Sequence, residues 1–166
     1  IDAYKASASG SGHSFPEART QMLQNFKNGV LFASYVGHAN PTSWTHNGLL
    51  RWPDIENEFF YSHPPFVFTG TCEFTRWDSP TVSGGEVLFL NSRGGFIGLL
   101  TGSRVTSISG NGDLCRAVGA ETFKPLPNGE MPRLGDIVMN AKNNYWYTHS
   151  RYSSILTKNT EHSLKY

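Results

Sequence analysis

The chemistry legible in this chain rests on two residues, His38 and Cys72. A free thiol is mostly protonated at neutral pH, and an imidazole beside it can take the proton as sulfur attacks an acyl carbon. The tetrahedral species that results carries a negative oxygen and needs donors already in place; backbone N–H groups just past strand ends are a natural source. His38 alone would read as a structural histidine. It becomes a candidate base because of where Cys72 falls. Of the other histidines, His13, His149 and His162 sit in polar sequence and read as surface residues, while His46 and His63 flank the proposed edge.

Each of the two residues follows an apolar run. Val30 to Val36 leads to Gly37-His38, and Phe66 to Thr71 leads to Cys72. Both runs are short, rich in β-branched and aromatic residues, and bounded by glycine or proline. Each therefore reads as a strand buried on both faces in a mostly parallel sheet. Between them, Trp52 to Phe60 can form a short crossover helix. A right-handed β-α-β unit of this kind sets both carboxyl ends on one edge, with imidazole and thiol facing each other.

The remaining elements frame that edge. Ser7 to Gly12 reads as a Ser/Gly loop, and Ser14-Phe15-Pro16-Glu17 as a capping box that starts a helix. Ala18, Met22, Leu23 and Phe26 share one face of it, and Asn28-Gly29 stops it. Asn40 to Gly48 and Glu73 to Pro80 read as loops on the catalytic edge, with Trp44 either a wall of the cleft or a lid over the core. Val87 to Leu90 is too apolar for an exposed helix. A third strand, Phe96 to Thr101, delivers Ser103 and Arg104 to the same edge, which makes them cleft candidates by position. Helices are expected over Asn111 to Phe123 and Leu134 to Asn143, joined by a proline-rich connector; the second has Leu134, Ile137, Val138 and Ala141 on one side. Tyr145 to Tyr166 reads as a helix or a surface return.

At 166 residues the chain is one domain by length, and its formal charge of +1 argues against a nucleic-acid or anionic-membrane surface. No apolar run is long enough to span a membrane, and the first residues lack the basic and apolar parts of a signal peptide. The two cysteines could pair in an oxidising compartment. The expectation is that they do not, with Cys115 buried on a helix face as a small hydrophobe. No metal is expected: zinc needs three or four closely spaced ligands, and the nearest set, His38, His46 and Cys72, lacks that spacing. There is no Gly-x-Ser-x-Gly elbow, phosphate loop or dinucleotide fingerprint, and no cofactor is implied.

A strand ending in Gly-His, followed one β-α-β unit later by a strand ending in Cys, resembles the caspase-like cysteine peptidases. The finer wording is Tyr35-Val36-Gly37-His38 with Trp44, then Thr71-Cys72-Glu73-Phe74 with Asp78, Gly85-Glu86 and Gly94-Gly95. It is similar to the gingipain-type branch, and within it to the sortase-like members that serve the bacterial type IX secretion system. The resemblance runs from about Ala3 to the last residue. It implies a caspase-like three-layer α/β/α fold with a mostly parallel sheet, this chain being the C-terminal part of the catalytic domain.

The resemblance also implies roles. His38 would be the base and later the acid, and Cys72 the nucleophile that forms a thioester. The backbone N–H groups of Cys72 and Ala39 would form the oxyanion hole; Trp44, Glu73, Ser103 and Arg104 are cleft candidates from their position on the edge and not from the resemblance. Ala39 stands where the family has glycine; if that position needed φ > 0, alanine would carry strain of about 1–2 kcal/mol. The family's third catalytic group, a carboxylate that orients the histidine, has no counterpart at a strand end before His38, since Asp2 and Glu17 are wrongly placed. The implied protein is exported, to the outer membrane, the cell surface or the periplasmic side. Its implied substrates are polypeptides with C-terminal secretion signals, and its implied partners other components of that secretion system. A binding or scaffold module that kept the fold and lost activity is the alternative.

Overall fold

The computed structural model describes residues 7–9 and 12–149. The expectation of a helix or surface return beyond 149, and of a surface site for His162, lies outside the described residues. The side chains of residues before 14 and after 145 do as well, including those of His13 and His149. In chain order the elements are β1 (Ser7–Ser9), β2 (Gly12–Ser14), α1 (Pro16–Asn28), β3 (Phe32–Val36), β4 (Ala39–Asn40), β5 (Ser43–Trp44), α2 (Trp52–Asn57), β6 (Phe66–Gly70), α3 (Gly84–Phe89), β7 (Gly98–Thr101), α4 (Ile108–Thr122) and α5 (Leu134–His149). They group into two compact units that divide after Val105.

In the first unit β3, β6 and β7 form a parallel sheet in the order β3-β6-β7, a mixed α/β arrangement as expected. The register sets Val36 opposite Gly70 and Phe68 opposite Leu100. Only the central strand, β6, is buried along its whole length. β3 and β7 are edge strands, each half-covered, so the expectation that the first strand is buried on both faces fails at Ser34, which is exposed. Leu23 and Phe26 of α1, Ile55 of α2, Leu88 of α3, Phe59 and Phe96 share one apolar cluster with Val67 of β6. Phe59 sits at its centre, 5.3 Å from the Phe26 ring and edge-on to Phe96 at 5.6 Å.

Several local expectations change. The described residues of the Ser/Gly stretch are not a plain loop: Ser7–Ser9 pairs antiparallel with Gly12–Ser14. Ser14 therefore belongs to a strand; Phe15 becomes the cap residue with no side-chain cap bond, and Pro16 opens α1. Capping boxes form elsewhere, where Asp54 accepts from the Arg51 N–H at 3.0 Å and Glu86 from the Ser83 N–H at 2.9 Å. Buried Asp54 also accepts two bonds from Arg19, which ties α1 to α2. Of the apolar run on α3, Leu88 is buried but Phe89 and Leu90 are exposed.

In the second unit α4 and α5 pack on each other, with Leu114 and Val118 buried on one helix and Ile137, Ala141 and Tyr145 on the other. Leu134, the first residue of α5, is exposed although it shares that face by spacing. α4 starts earlier than the sequence suggested: the Asn111 backbone N–H donates to the Ser107 carbonyl at 2.9 Å and closes the first turn, and the Asn111 side-chain amide donates to the Thr106 hydroxyl at 2.7 Å. Cys115 is half-buried on α4 and not fully buried as expected, and the two cysteines do not form a disulfide. Among the described residues no helix is long and apolar enough to cross a membrane.

Candidate functional site

His38 and Cys72 each lie two residues past the last ladder pair of neighbouring parallel strands, Val36 with Gly70. The chain is held together just before them, where the Gly37 N–H donates to the Gly70 carbonyl at 3.2 Å. The register brings the carboxyl ends of both strands, and with them the two residues that follow, to the same edge of the sheet. His38 is exposed and Cys72 half-buried. Buried hydroxyls tie the strand ends below them: Thr69 donates to Thr101 across the ladder at 2.6 Å and lies 3.3 Å from Thr71.

The segment after His38 is not the open loop expected. It folds back as a small hairpin, β4 with β5, pairing Ala39 with Trp44 and Asn40 with Ser43. The His38 carbonyl accepts from the Thr45 N–H at 2.8 Å and from the Tyr35 hydroxyl at 3.0 Å. Thr45 takes φ 57, and this turn brings the exposed His46 ring to 6.3 Å from the His38 ring. Ala39 is in an extended strand and is not among the residues of positive φ, so the strain considered for alanine does not arise. Its N–H is left outside the hairpin ladder, because the Thr45-to-His38 bond marks 39/44 as a non-hydrogen-bonded pair.

After Cys72 the chain turns sharply at Glu73, with φ 51. The Glu73 carboxylate accepts from Arg76 at 2.9 Å, Arg76 lies 3.6 Å from Asp78, and Asp78 accepts from Arg104. The Arg104 hydrogen bond holds the Asp78 carboxyl below the ordinary carboxylate range. The Cys72 loop is thus joined to the segment after β7 through charges that are all partly solvated.

One short stretch fixes both loops. At the start of α3 the Gly84 N–H donates to the Pro41 carbonyl of the His38 hairpin at 2.6 Å, and the Gly85 N–H donates to the Phe74 carbonyl of the Cys72 loop at 3.1 Å. A Cβ on Gly85 would overlap the Thr75 hydroxyl and come within 3.0 Å of that same Phe74 oxygen. Glycine is needed here for close approach.

The four cleft candidates fare differently. Trp44 is 2% exposed, stacked on Tyr35 at 4.7 Å and tilted against Phe74 at 5.5 Å, so it is core under the hairpin and not a cleft surface. Ser103 is buried at 7% exposure, which corrects its placement on the cleft. Glu73 and Arg104 remain at the edge, each engaged in an ion pair. His63 does not flank the edge: it precedes β6, at the amino end, and lies 2.9 Å from Ser62. Among the described residues no three of His, Cys, Asp and Glu converge as a metal would require. Sequence reasoning quoted Tyr35 and Gly85 as wording and gave no role to Tyr35 or to the amides of Gly84 and Gly85; the signal for the latter was a glycine pair at the opening of a capping box.

The profile of Peptidase family C25 matches residues 1–165. The chain belongs to that family. No curated protein matches the sequence. Among solved structures, the complex of the pro- and mature domains of Porphyromonas gingivalis RgpB superposes with a TM-score of 0.65 at 15% identity, covering 79% of this chain and 32% of that one. The Arg-specific cysteine proteinase gingipain R gives the same TM-score and identity, covering 88% of this chain and 33% of that one. The fold is therefore the caspase-like gingipain fold, and the chain spans about a third of the length of the structures it matches.

Proposed function

We propose that this chain carries the nucleophile and the base of a C25 cysteine peptidase, Cys72 and His38. The observation that carries the reading is their delivery to matching positions past two neighbouring strands, with both following loops bonded to adjacent amides of α3. In the reaction His38 takes the thiol proton as Sγ bonds to the acyl carbon, and the carbonyl π pair moves onto oxygen. The N–H groups of Cys72 and Ala39 receive that oxyanion. When it collapses the C–N bond breaks, the amine leaves with the proton from His38, and a thioester remains on Cys72. Water or another amine then attacks the thioester.

The finer reading follows the sequence resemblance. It is a PorU-like sortase of type IX secretion, exported and associated with the outer membrane. It removes C-terminal secretion signals from cargo proteins and passes the acyl group to an amine on a surface lipopolysaccharide. The wording around Gly37-His38 and Thr71-Cys72-Glu73-Phe74 supports it. A catalytically incomplete binding or scaffold module of the same machinery is favoured by one observation. Among the described residues no carboxylate is hydrogen-bonded to His38, and buried Asp54 is committed to Arg19. In the peptidase reading a part of the protein outside this chain supplies that group.

The test uses the full-length protein and a secreted cargo carrying its C-terminal signal. Cleavage should be abolished in Cys72→Ala and fall by roughly 10²–10⁴-fold in His38→Ala, the range for a general base. Mass spectrometry of the cargo terminus separates hydrolysis from amine transfer. A full-length protein that binds cargo and leaves it intact would establish the scaffold reading instead.

A further inference from the structure

We infer that Tyr35 is a positioning residue. Its hydroxyl and the Thr45 amide lock the peptide between His38 and Ala39, and so aim the Ala39 N–H at the oxyanion formed beside Cys72. The inference rests on the peptidase reading above.

The argument starts from peptide planarity. In a trans peptide the C=O of one residue and the N–H of the next point in opposite directions within one rigid plane. A group that holds the His38 oxygen therefore holds the Ala39 hydrogen. The His38 oxygen has two lone pairs and two donors, Thr45 N at 2.8 Å and Tyr35 Oη at 3.0 Å. The hairpin ladder leaves the Ala39 N–H unused, as the pairing of Thr45 with His38 requires. A donor that reacts to charge without first reorienting is what oxyanion stabilisation needs.

Tyr35 is itself held. Its ring stacks on buried Trp44 at 4.7 Å with 14° between planes. Burial pushes its phenol up to about 12, so it stays protonated, and hence a donor, throughout the range in which a peptidase works. The phenol reaches over Gly37 to get there. A Cβ at Gly37 would come 2.5 Å from Tyr35 Oη and 2.8 Å from Cζ. Gly37 has no positive φ, so its lack of a side chain serves the ring and not the backbone. A strand-filling aromatic would need only the ring; the hydroxyl is what the His38 carbonyl uses.

The hydroxyl can be removed alone. Tyr35→Phe keeps the stack on Trp44 and leaves the Thr45 pin. Two probes then separate the oxyanion from the thiol in the full-length protein, both read at Cys72 by mass spectrometry. p-Nitrophenyl acetate acylates sulfur: the S–C bond forms through an oxyanion, the C–O bond breaks, and the pair leaves with p-nitrophenolate, the thiol proton passing to His38. Iodoacetamide alkylates the same sulfur by displacing iodide and builds no oxyanion. Loss of a whole oxyanion donor costs about 10²–10³ in rate. The variant keeps the donor and one of two pins, so acylation should slow by roughly 5–30-fold while alkylation stays within about twofold of wild type. Equal rates in both assays, or an equal fall in both, would overturn the inference, the second because it places Tyr35 behind the thiol or the fold. A wild-type Cys72 that acylates no faster than Cys115 would overturn the peptidase reading and this inference with it. A reactive wild type with an unaffected Tyr35→Phe removes the inference alone.

Discussion

Gly85→Ala probes the joint between the two loops. The new Cβ would overlap the Thr75 hydroxyl and press to 3.0 Å on the Phe74 carbonyl, the acceptor of the Gly85 N–H. Thr75 is fully buried and Phe74 packs on Trp44, so neither neighbour is a free side-chain tip that can swing away. Overpacking of a filled site costs about 1–3 kcal/mol. Stretching the Gly85-to-Phe74 bond adds about 1 kcal/mol. The expected loss is about 2–4 kcal/mol, measured by urea denaturation as a lower midpoint at constant slope. Because the shift passes to Phe74, two residues from Cys72, acylation of the folded variant by p-nitrophenyl acetate should also slow; displacements near 1 Å cost about 100-fold at a reacting centre. Glycine with open space supplies the control. Gly119 on α4 has nothing within 4 Å of a built Cβ, so Gly119→Ala should stabilise by about 0.5–1 kcal/mol. A Gly85→Ala variant as stable and as reactive as wild type would refute the claim that α3 fixes the Cys72 loop through this contact.

Three further outcomes follow from the packing. Asp54→Ala removes the partner of Arg19 and the bond to the Arg51 N–H. Breaking a buried pair costs about 3–5 kcal/mol, and since Arg19 is 30% exposed and regains water, about 2–3 kcal/mol should be lost in urea denaturation. Phe59→Ala, which empties the centre of the aromatic cluster, should cost about 3–5 kcal/mol by the same assay. Above pH 10 the fold should weaken. Burial raises the Tyr35 phenol to about 12 and the Tyr61 phenol as well, so the unfolded chain releases these protons first. Stability is unaffected by them below pH 10 and falls as pH rises from 10 through 12, by about 1.4 kcal/mol per pH unit for each group. Tyr35→Phe should remove its own share of that slope in alkaline melts.

The parallel sheet was legible because its central strand, Phe66–Gly70, is short, rich in aromatic and β-branched residues and bounded by proline and glycine, the pattern of a strand buried on both faces. The edge strand β3 was over-assigned for the same reason. Its apolar residues look like those of β6, but β3 is only half-covered and Ser34 is exposed. That the strands leading to His38 and Cys72 end on one edge followed from strand order, which short β-α-β connections restrict. Much that holds the site did not follow. The β4/β5 hairpin rests on Asn40, Thr42 and Ser43, polar residues whose side chains bond within the turn, and such a sequence reads equally well as loop. Trp44 could have been wall or lid, and only its stack on Tyr35 decides for the core. The Gly84 and Gly85 amides reach Pro41 and Phe74 across long sequence separations, and no local pattern encodes where a glycine N–H will point.

The central claim is that His38 and Cys72 meet on one edge, and a thiol cross-link tests it most directly. His38→Cys in a Cys115→Ser background leaves two thiols, which are treated with dibromobimane, a reagent that fluoresces only when both of its arms have been taken up. His63→Cys in the same background places the second thiol at the opposite end of β6. The expected result is a fluorescent cross-linked peptide joining positions 38 and 72, and none joining 63 and 72. Two singly alkylated thiols at 38 and 72 with no cross-link would contradict it.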